Sequence, residues 1–297
     1  MKRITSFGEV LFDVYPDGRK LGGAPFNFIY HIKKITGNGN FISRIGNDLF
    51  GDEIFWFMRS NYMLTRFIQI DNDHPTGAAY ANLDEHKVPH WKIASSCAYD
   101  FIEEDERLNN LIETGTDCLY FGTLVQRNEK SRKTLQSLFN KKKKLFCDLN
   151  IRQNFYSKEI IEESLKASNV LKVNDEEFKL LNNLFINQEA DEISLAKKIS
   201  ERFEIDLVCI TFGERGALLY SGGKNDYHKA EAKEVVDTVG AGDAYSAILC
   251  LGYLESWDIQ KINKLAAGFA SDVVGIQGAL PDNDDFYIKC KEEFINA

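Results

Sequence analysis

The sequence lacks any apolar run near the ~18 residues that a membrane-spanning helix requires, so a helical membrane protein is not expected. It has no CxxC pair: its six cysteines, at 97, 118, 147, 209, 250 and 290, are scattered. No Cys/His cluster has the spacing of a zinc site. That distribution fits a reducing compartment, with Cys118, Cys147 and Cys209 acting as small hydrophobes inside apolar runs. Five prolines in 297 residues, and no tract rich in proline and serine, leave no linker to divide the chain. Basic charge is in deficit as well. Lys and Arg total 36 against 45 Asp and Glu, a net charge of −9, which argues against a protein that holds nucleic acid by neutralising phosphates. The opening residues MKRITSFGEV lack the apolar stretch of a secretory signal, so a cytoplasmic protein is expected.

What is present is the composition of a globular domain, 44% hydrophobic and 27% charged. A chain of this length buries about 75% of its unfolded surface and needs neither disulfide nor structural metal. From about residue 40, short β-branched or aromatic runs alternate with segments of helical period, the pattern of α/β layering. Core strands are predicted at Ile4–Leu11, Asn40–Ser43, Cys118–Phe121, Lys144–Asp148, Val170–Val173 and Leu207–Thr211. Helices are predicted at Phe26–Ile35, Asp52–Ser60, Glu129–Phe139, Ile160–Lys166, Asp175–Leu181, Ile193–Phe203, Ala241–Leu254 and Ile259–Val274. Gly77–Asp84 and Val88–Ile93 break this rhythm and read as two strands joined by a charged turn, a small antiparallel flap. The lysine run Lys141–Lys144 reads as a solvated helix end favoured by the helix dipole.

The most informative stretch is Asp237-Thr238-Val239-Gly240-Ala241-Gly242-Asp243, followed at once by the helical run AYSAILCLGYLE. Small residues let backbone N–H groups converge on an anion, and the start of a helix adds partial positive charge. A Walker loop would need GxxxxGK[ST], and a dinucleotide fingerprint would need glycine where Tyr245 stands. Asp243 is unusual there, since a carboxylate repels a ground-state phosphate. In phosphoryl transfer it can instead accept the proton of an attacking hydroxyl. On this stretch alone, a favourable acid in a first helical turn is an equal alternative.

The turn matches D-T-x-G-A-G-D, the C-terminal signature of the ribokinase-like, or phosphofructokinase-B, sugar kinases. The N-terminal signature is similar too: Gly22-Gly23-Ala24-Pro25 with Asn27, then Ser43-Arg44-Ile45-Gly46-Asn47-Asp48 and Phe50-Gly51. The resemblance runs from Gly8 to about Pro281. It implies a single three-layer α/β/α domain around a mainly parallel sheet, with a small β lid from segments about 12–24 and 76–100. It also implies ATP as phosphoryl donor and Mg2+. Many relatives bind a monovalent cation such as K+ near the anion hole. Asp243 is then the general base, and Gly240, Ala241 and Gly242 form the anion hole.

Further roles follow from the same resemblance. Asp13 accepts hydrogen bonds from sugar hydroxyls, Gly22 and Gly23 admit the sugar to the backbone, and Asn27 offers a donor and an acceptor. Strand alternation would aim Asp148, Asn150 and Arg152 above a strand's carboxyl end, where ligands of open α/β sheets bind. Asn150 then contacts substrate and Arg152 the sugar or transferred phosphoryl group, with a structural ion pair as the alternative for Arg152. Asn174 and Glu177 match N-x-x-E, placing Asn174 at the nucleotide and Glu177 at magnesium through water. Thr211, Gly213 and Gly216 resemble the T-x-G-x-x-G turn beside the ATP phosphates.

GGAPxN, SRIGND, D-x-N-x-R and NDEE together look most like fructokinases, so fructose is the expected substrate. Another ketose or a 2-keto-3-deoxy sugar acid is the alternative, and a sugar sensor on a kinase scaffold is a second. Relatives often dimerise through their lids, and Ala78–Leu83 with Trp91 would serve either a partner or the sugar.

Overall fold

Apolar runs become strands covered on both faces. In Cys118–Phe121 all four residues are buried, Cys118 and Tyr120 packing into one layer and Leu119 and Phe121 into the other. The computed structural model describes residues 2–83, 89–139, 143–230, 234–281 and 283–295. In chain order the strands are β1 (Ile4–Phe7), β2 (Leu11–Tyr15), β3 (Gly18–Gly22), β4 (Asn40–Gly46), β5 (Ile68–Asp71), β6 (Gly77–Leu83) and β7 (Pro89–Ile93). They continue as β8 (Cys118–Phe121), β9 (Lys144–Asp148), β10 (Val170–Asn174), β11 (Leu207–Thr211), β12 (Ala217–Ser221) and β13 (Lys224–His228). The larger sheet has the order β13-β12-β11-β10-β9-β8-β1-β4-β5. It is parallel from β5 to β11, and β12 and β13 add an antiparallel edge.

Helices Ala24–Thr36, Leu49–Ser60, Ala241–Leu254 and Ile259–Val274 pack on one face. Helices Glu106–Gly115, Glu129–Phe139, Lys158–Ala167, Asp175–Leu181 and Glu192–Phe203 pack on the other, giving three α/β/α layers. Phe28 stacks on Tyr120 at 3.8 Å between ring centroids. Each such ring contributes about 1.5–3 kcal/mol by burial. Among the described residues no helix is long and apolar enough to cross a membrane. All six cysteines are buried and unbridged.

The run Ile4–Leu11 is not one strand, contrary to expectation. β1 ends at Phe7, and Gly8 N–H still donates to Ile42 O at 3.1 Å. Leu11 then pairs with Gly22 in a second sheet of order β3-β2-β6-β7. Hydrophobic continuity hid this change of sheet, because Val10, Leu11 and Phe12 are all buried. The expected flap strands pair antiparallel, Ala79 opposite Ile93, and the turn at residues 84–88 lies outside the described residues. Ala78, Ala79 and Ala81 of β6 are buried, whereas Tyr80 and Trp91 are exposed. Lys141 and Lys142 also lie outside the described residues, between the helix ending at Phe139 and β9. The helix Glu106–Gly115 was not expected from the sequence. It is capped by Asp105, which accepts from Leu108 N–H at 2.9 Å, and it buries Leu108, Leu111 and Ile112 at helical spacing.

Candidate active site

The turn before helix Ala241–Leu254 is built to leave amides free. Gly240 is its N-cap with φ +81°, and a side chain there would collide with Ala279. No side chain caps the first turn, so the amides of Ala241, Gly242 and Asp243 lack the usual cap acceptor. Ala241 N–H has only a long contact to Thr238 O, at 3.4 Å. Asp237 shapes the approach, accepting from Val239 N–H at 3.1 Å and Gly278 N–H at 2.9 Å, with Lys20 of β3 at 3.3 Å. Despite burial, these donors hold Asp237 below the ordinary aspartate range. An uncapped N-terminus of this kind is an anion site.

Asp243 stands in that first turn and accepts from Asn27 Nδ2 at 2.8 Å. Burial, with the nearby charge of Asp148, pushes its carboxyl up to about 6, against the opposing pull of Lys172, Asn27 and Arg152. A carboxylate with that proton affinity is suited to take a proton near neutral pH.

A buried ion pair lies beneath the turn. Lys172 Nζ is 2.9 Å from Asp148 Oδ2, which also accepts from Tyr120 Oη at 3.0 Å and Ser246 Oγ at 2.8 Å. Ser246 donates in addition to Gly242 O at 2.9 Å, and a side chain at Gly242 would come within 3.1 Å of Lys172 Nζ. Burial lowers the proton affinity of Lys172, but the charges of Asp148 and Asp243 outweigh it and raise it above the ordinary lysine value. Asp148 is buried and bonded to Lys172 on the neighbouring strand, and it lies close enough to Asp243 to act on its carboxyl, as Arg152 does.

The N-terminal residues gather at the junction of the two sheets. Asp13 lies on β2, and a side chain at Gly22 would sit 3.1 Å from its Oδ2. Burial pushes Asp13 up to about 6, with Arg152 and Lys20 pulling it down. Gly23 caps helix Ala24–Thr36 at φ +111°, and a Cβ there would lie 2.7 Å from Glu9 O. Asn27 is buried one turn along that helix.

Asn150, at φ +41°, and Arg152 follow β9. Arg152 is exposed and forms no ion pair with any described residue, so its charge acts freely on Glu9, Asp13 and Asp243. Glu177 sits behind them. Its Oε1 accepts from Ile151 N–H at 2.7 Å and its Oε2 from Asn174 N–H at 2.9 Å, while Asn174 Oδ1 accepts in turn from Glu177 N–H at 2.8 Å. This capping box ties the segment carrying Asn150 and Arg152 to the next strand. Thr211 ends β11 and donates to Val173 O at 3.3 Å. Gly213 and Gly216, at φ +59° and +111°, close the next turn through Phe212 N–H to Gly216 O at 2.8 Å. These positions share the carboxyl ends of the parallel strands, the ligand edge of such sheets.

Among the described residues no group of three or more His, Cys, Asp or Glu side chains could cage a metal. The carboxylate of Glu177 is of the oxygen type that suits a magnesium ion held through water. Each oxygen of Glu177 retains a lone pair for such a water.

A model of the pfkB family carbohydrate kinases matches residues 1–285. The chain belongs to the pfkB family of carbohydrate kinases. Like its family, this pfkB kinase is an ATP-dependent sugar kinase. It is 24% identical over 306 residues to a fructokinase of Klebsiella pneumoniae, covering 95% of this chain and 97% of the relative. It superposes on a sugar kinase of Pyrococcus horikoshii solved with ATP, with a TM-score of 0.81 at 25% identity and coverage of 98% and 99%. A fructokinase of Xylella fastidiosa solved with ATP has the same fold, with a TM-score of 0.84 at 18% identity over 100% of this chain and 99% of that one.

One feature beneath the turn escaped the sequence. Lys172 stands inside the otherwise apolar run Val170–Val173, and a cation in a strand covered on both faces was the available signal.

Proposed function

We propose that this pfkB kinase transfers the γ-phosphoryl group of ATP to fructose, giving fructose 6-phosphate, with Asp243 as general base. The observation that carries the reading is a buried carboxyl with raised proton affinity in the first turn of an uncapped helix. Free amides of Ala241, Gly242 and Asp243, with Gly240 permitting the turn, hold charge developing on the phosphoryl oxygens. Asp243 accepts the proton of the attacking hydroxyl, and Asn27 fixes the carboxylate's orientation. Asp13, Asn27 and Asn150 hold the sugar, with Gly22 and Gly23 letting the backbone approach it. Arg152, exposed and without an ion-pair partner among the described residues, neutralises the phosphoryl group in transit. Asn174, Thr211, Gly213 and Gly216 border the nucleotide. Magnesium, when bound, screens the phosphate charge, with Glu177 holding it through water.

Fructose is supported by the GGAPxN signature and by curated relatives named fructokinase. Charge supports it too: Asp13 and Asp243 both lie near enough to Arg152 to feel its charge, and their own negative charge is poorly suited to a neighbouring substrate carboxylate. The test is ADP release on mixing protein, ATP and magnesium with a panel of ketoses, aldoses and 2-keto-3-deoxy sugar acids. Fructose should give the highest kcat/KM. A higher value for a sugar acid would overturn the substrate, and sugar binding without ADP release would identify a sensor.

A further inference from the structure

Among the described residues four buried polar atoms, linked to Asp243 through Glu9 and Asn27, have no hydrogen-bond partner: Glu9 Oε2, Asn27 Oδ1, Tyr99 Oη and Arg127 Nη1. Glu9, Asn27 and Tyr99 are 2%, 4% and 0% exposed. Buried polar atoms are ordinarily paired, so an unpaired group of them calls for an occupant. Their surroundings are continuous. The Arg127 guanidinium lies 5.0 Å from the Tyr99 ring centroid, and both Arg127 and Glu9 act on the Tyr99 phenol. Glu9 in turn feels Arg152, Asp243 and Arg127, and Asn27 is bonded to Asp243.

Arg127 is held rigidly. It forks onto Asp100 at 2.7 and 2.8 Å, donates to Ala94 O at 2.7 Å, and is covered by the Phe155 ring at 4.7 Å. Only Nη1 remains without an acceptor.

We propose that Glu9, Tyr99 and Arg127 line the inner end of the sugar pocket and, with Asn27 Oδ1, exchange hydrogen bonds with hydroxyl groups of an uncharged monosaccharide. This rests on the sugar-kinase reading above and narrows its substrate class. Arg127 donates, Asn27 Oδ1 accepts, and Tyr99 and a protonated Glu9 can each do both, which matches hydroxyl groups. Burial pushes Glu9 up to about 7, so about half of it keeps its proton at neutral pH. Asp100 already neutralises Arg127, so a substrate carboxylate placed here would add negative charge near Asp243. A site whose buried groups are completed by substrate hydroxyls also rejects analogues that lack them.

The test measures steady-state ADP release by the full chain for wild type, Tyr99→Phe, Glu9→Gln and Arg127→Lys. The varied sugar is fructose, or whichever neutral sugar of the panel is turned over best. Each variant should raise KM for sugar at least about tenfold, the loss of one good hydrogen bond, while KM for ATP stays within twofold. Tyr99→Phe should also weaken discrimination between the sugar and its monodeoxy analogues, which a purely structural tyrosine would not do. Melting curves identify variants that fail to fold. Tyr99→Phe keeps the ring and decides the matter if the other two do fail. Sugar KM within twofold of wild type in Tyr99→Phe, or equal kcat/KM for the neutral sugar and 2-keto-3-deoxygluconate, overturns the inference. Wild type that releases no ADP with any sugar overturns the underlying reading instead, a result distinct from unchanged KM values in an active enzyme.

Discussion

Replacing Asp243 by asparagine removes the charge but keeps an oxygen for Asn27 Nδ2, which now donates to the carboxylate at 2.8 Å. Two effects of opposite sign should follow. Turnover should fall by roughly 10²–10⁴-fold, the usual loss when a general base is removed, while sugar binding by calorimetry stays near the wild-type value. Stability should rise. The carboxyl ionises at about 6 in the fold against 3.8 for an ordinary aspartate, so holding it charged costs roughly 2–3 kcal/mol at pH 7. Because the folded state binds this proton more tightly than the unfolded chain, the cost is absent below about pH 4. It grows as pH rises toward about 6 and is complete above. Asp243→Asn should therefore melt several degrees higher than wild type at pH 7–8, with the gap closing toward pH 4. The same ionisation sets the wild-type profile: about nine-tenths of the base is available at pH 7 and about one-tenth at pH 5, so kcat/KM for sugar should drop about tenfold. Coupled ADP-release assays and thermal melts across pH measure all three. Unchanged turnover would refute the base assignment, and an unchanged or lower melting temperature at pH 8 would refute the buried-charge account.

Asn27→Ala removes a hydrogen bond that favours the ionised carboxylate, so the acid limb of the pH–rate profile should move to higher pH, and a limb left in place would contradict this. Lys172→Met strands Asp148 in the interior and should lower stability by about 3–5 kcal/mol in denaturant unfolding, whereas a loss under about 1 kcal/mol would mean that the pair is well solvated. Arg152→Gln alters an exposed, unpaired cation, so stability should stay within about 0.5 kcal/mol while kcat falls at least tenfold, and full activity would remove it from the reaction.

Much of this molecule could be read from its residues because the controlling physics is local. Cys118–Phe121 is apolar in every position and Leu207–Thr211 in all but its last, and they became fully or almost fully covered strands. Gly240 to Asp243 announces its turn by small residues followed directly by a helix. What escaped depends on neighbours distant in the chain. Leu11 continues an apolar run but belongs to another sheet because Gly22 is its partner. β13, KNDYH, is a polar edge strand with one exposed face, and no hydrophobic period marks it. The Lys172–Asp148 pair escaped because only the pairing of β9 with β10 sets the two residues side by side.

The short passage from Gly8 to Val10 carries the chain out of the central layer and into the covering one, and Glu9 is its middle residue. The smaller sheet is also joined to the larger body at Gly22–Gly23, between β5 and β6 and after β7. A shift of that covering layer would therefore bear on the backbone beside Glu9 along with the other joins, so the position of one proposed sugar-contacting residue is tied to the seat of the cover.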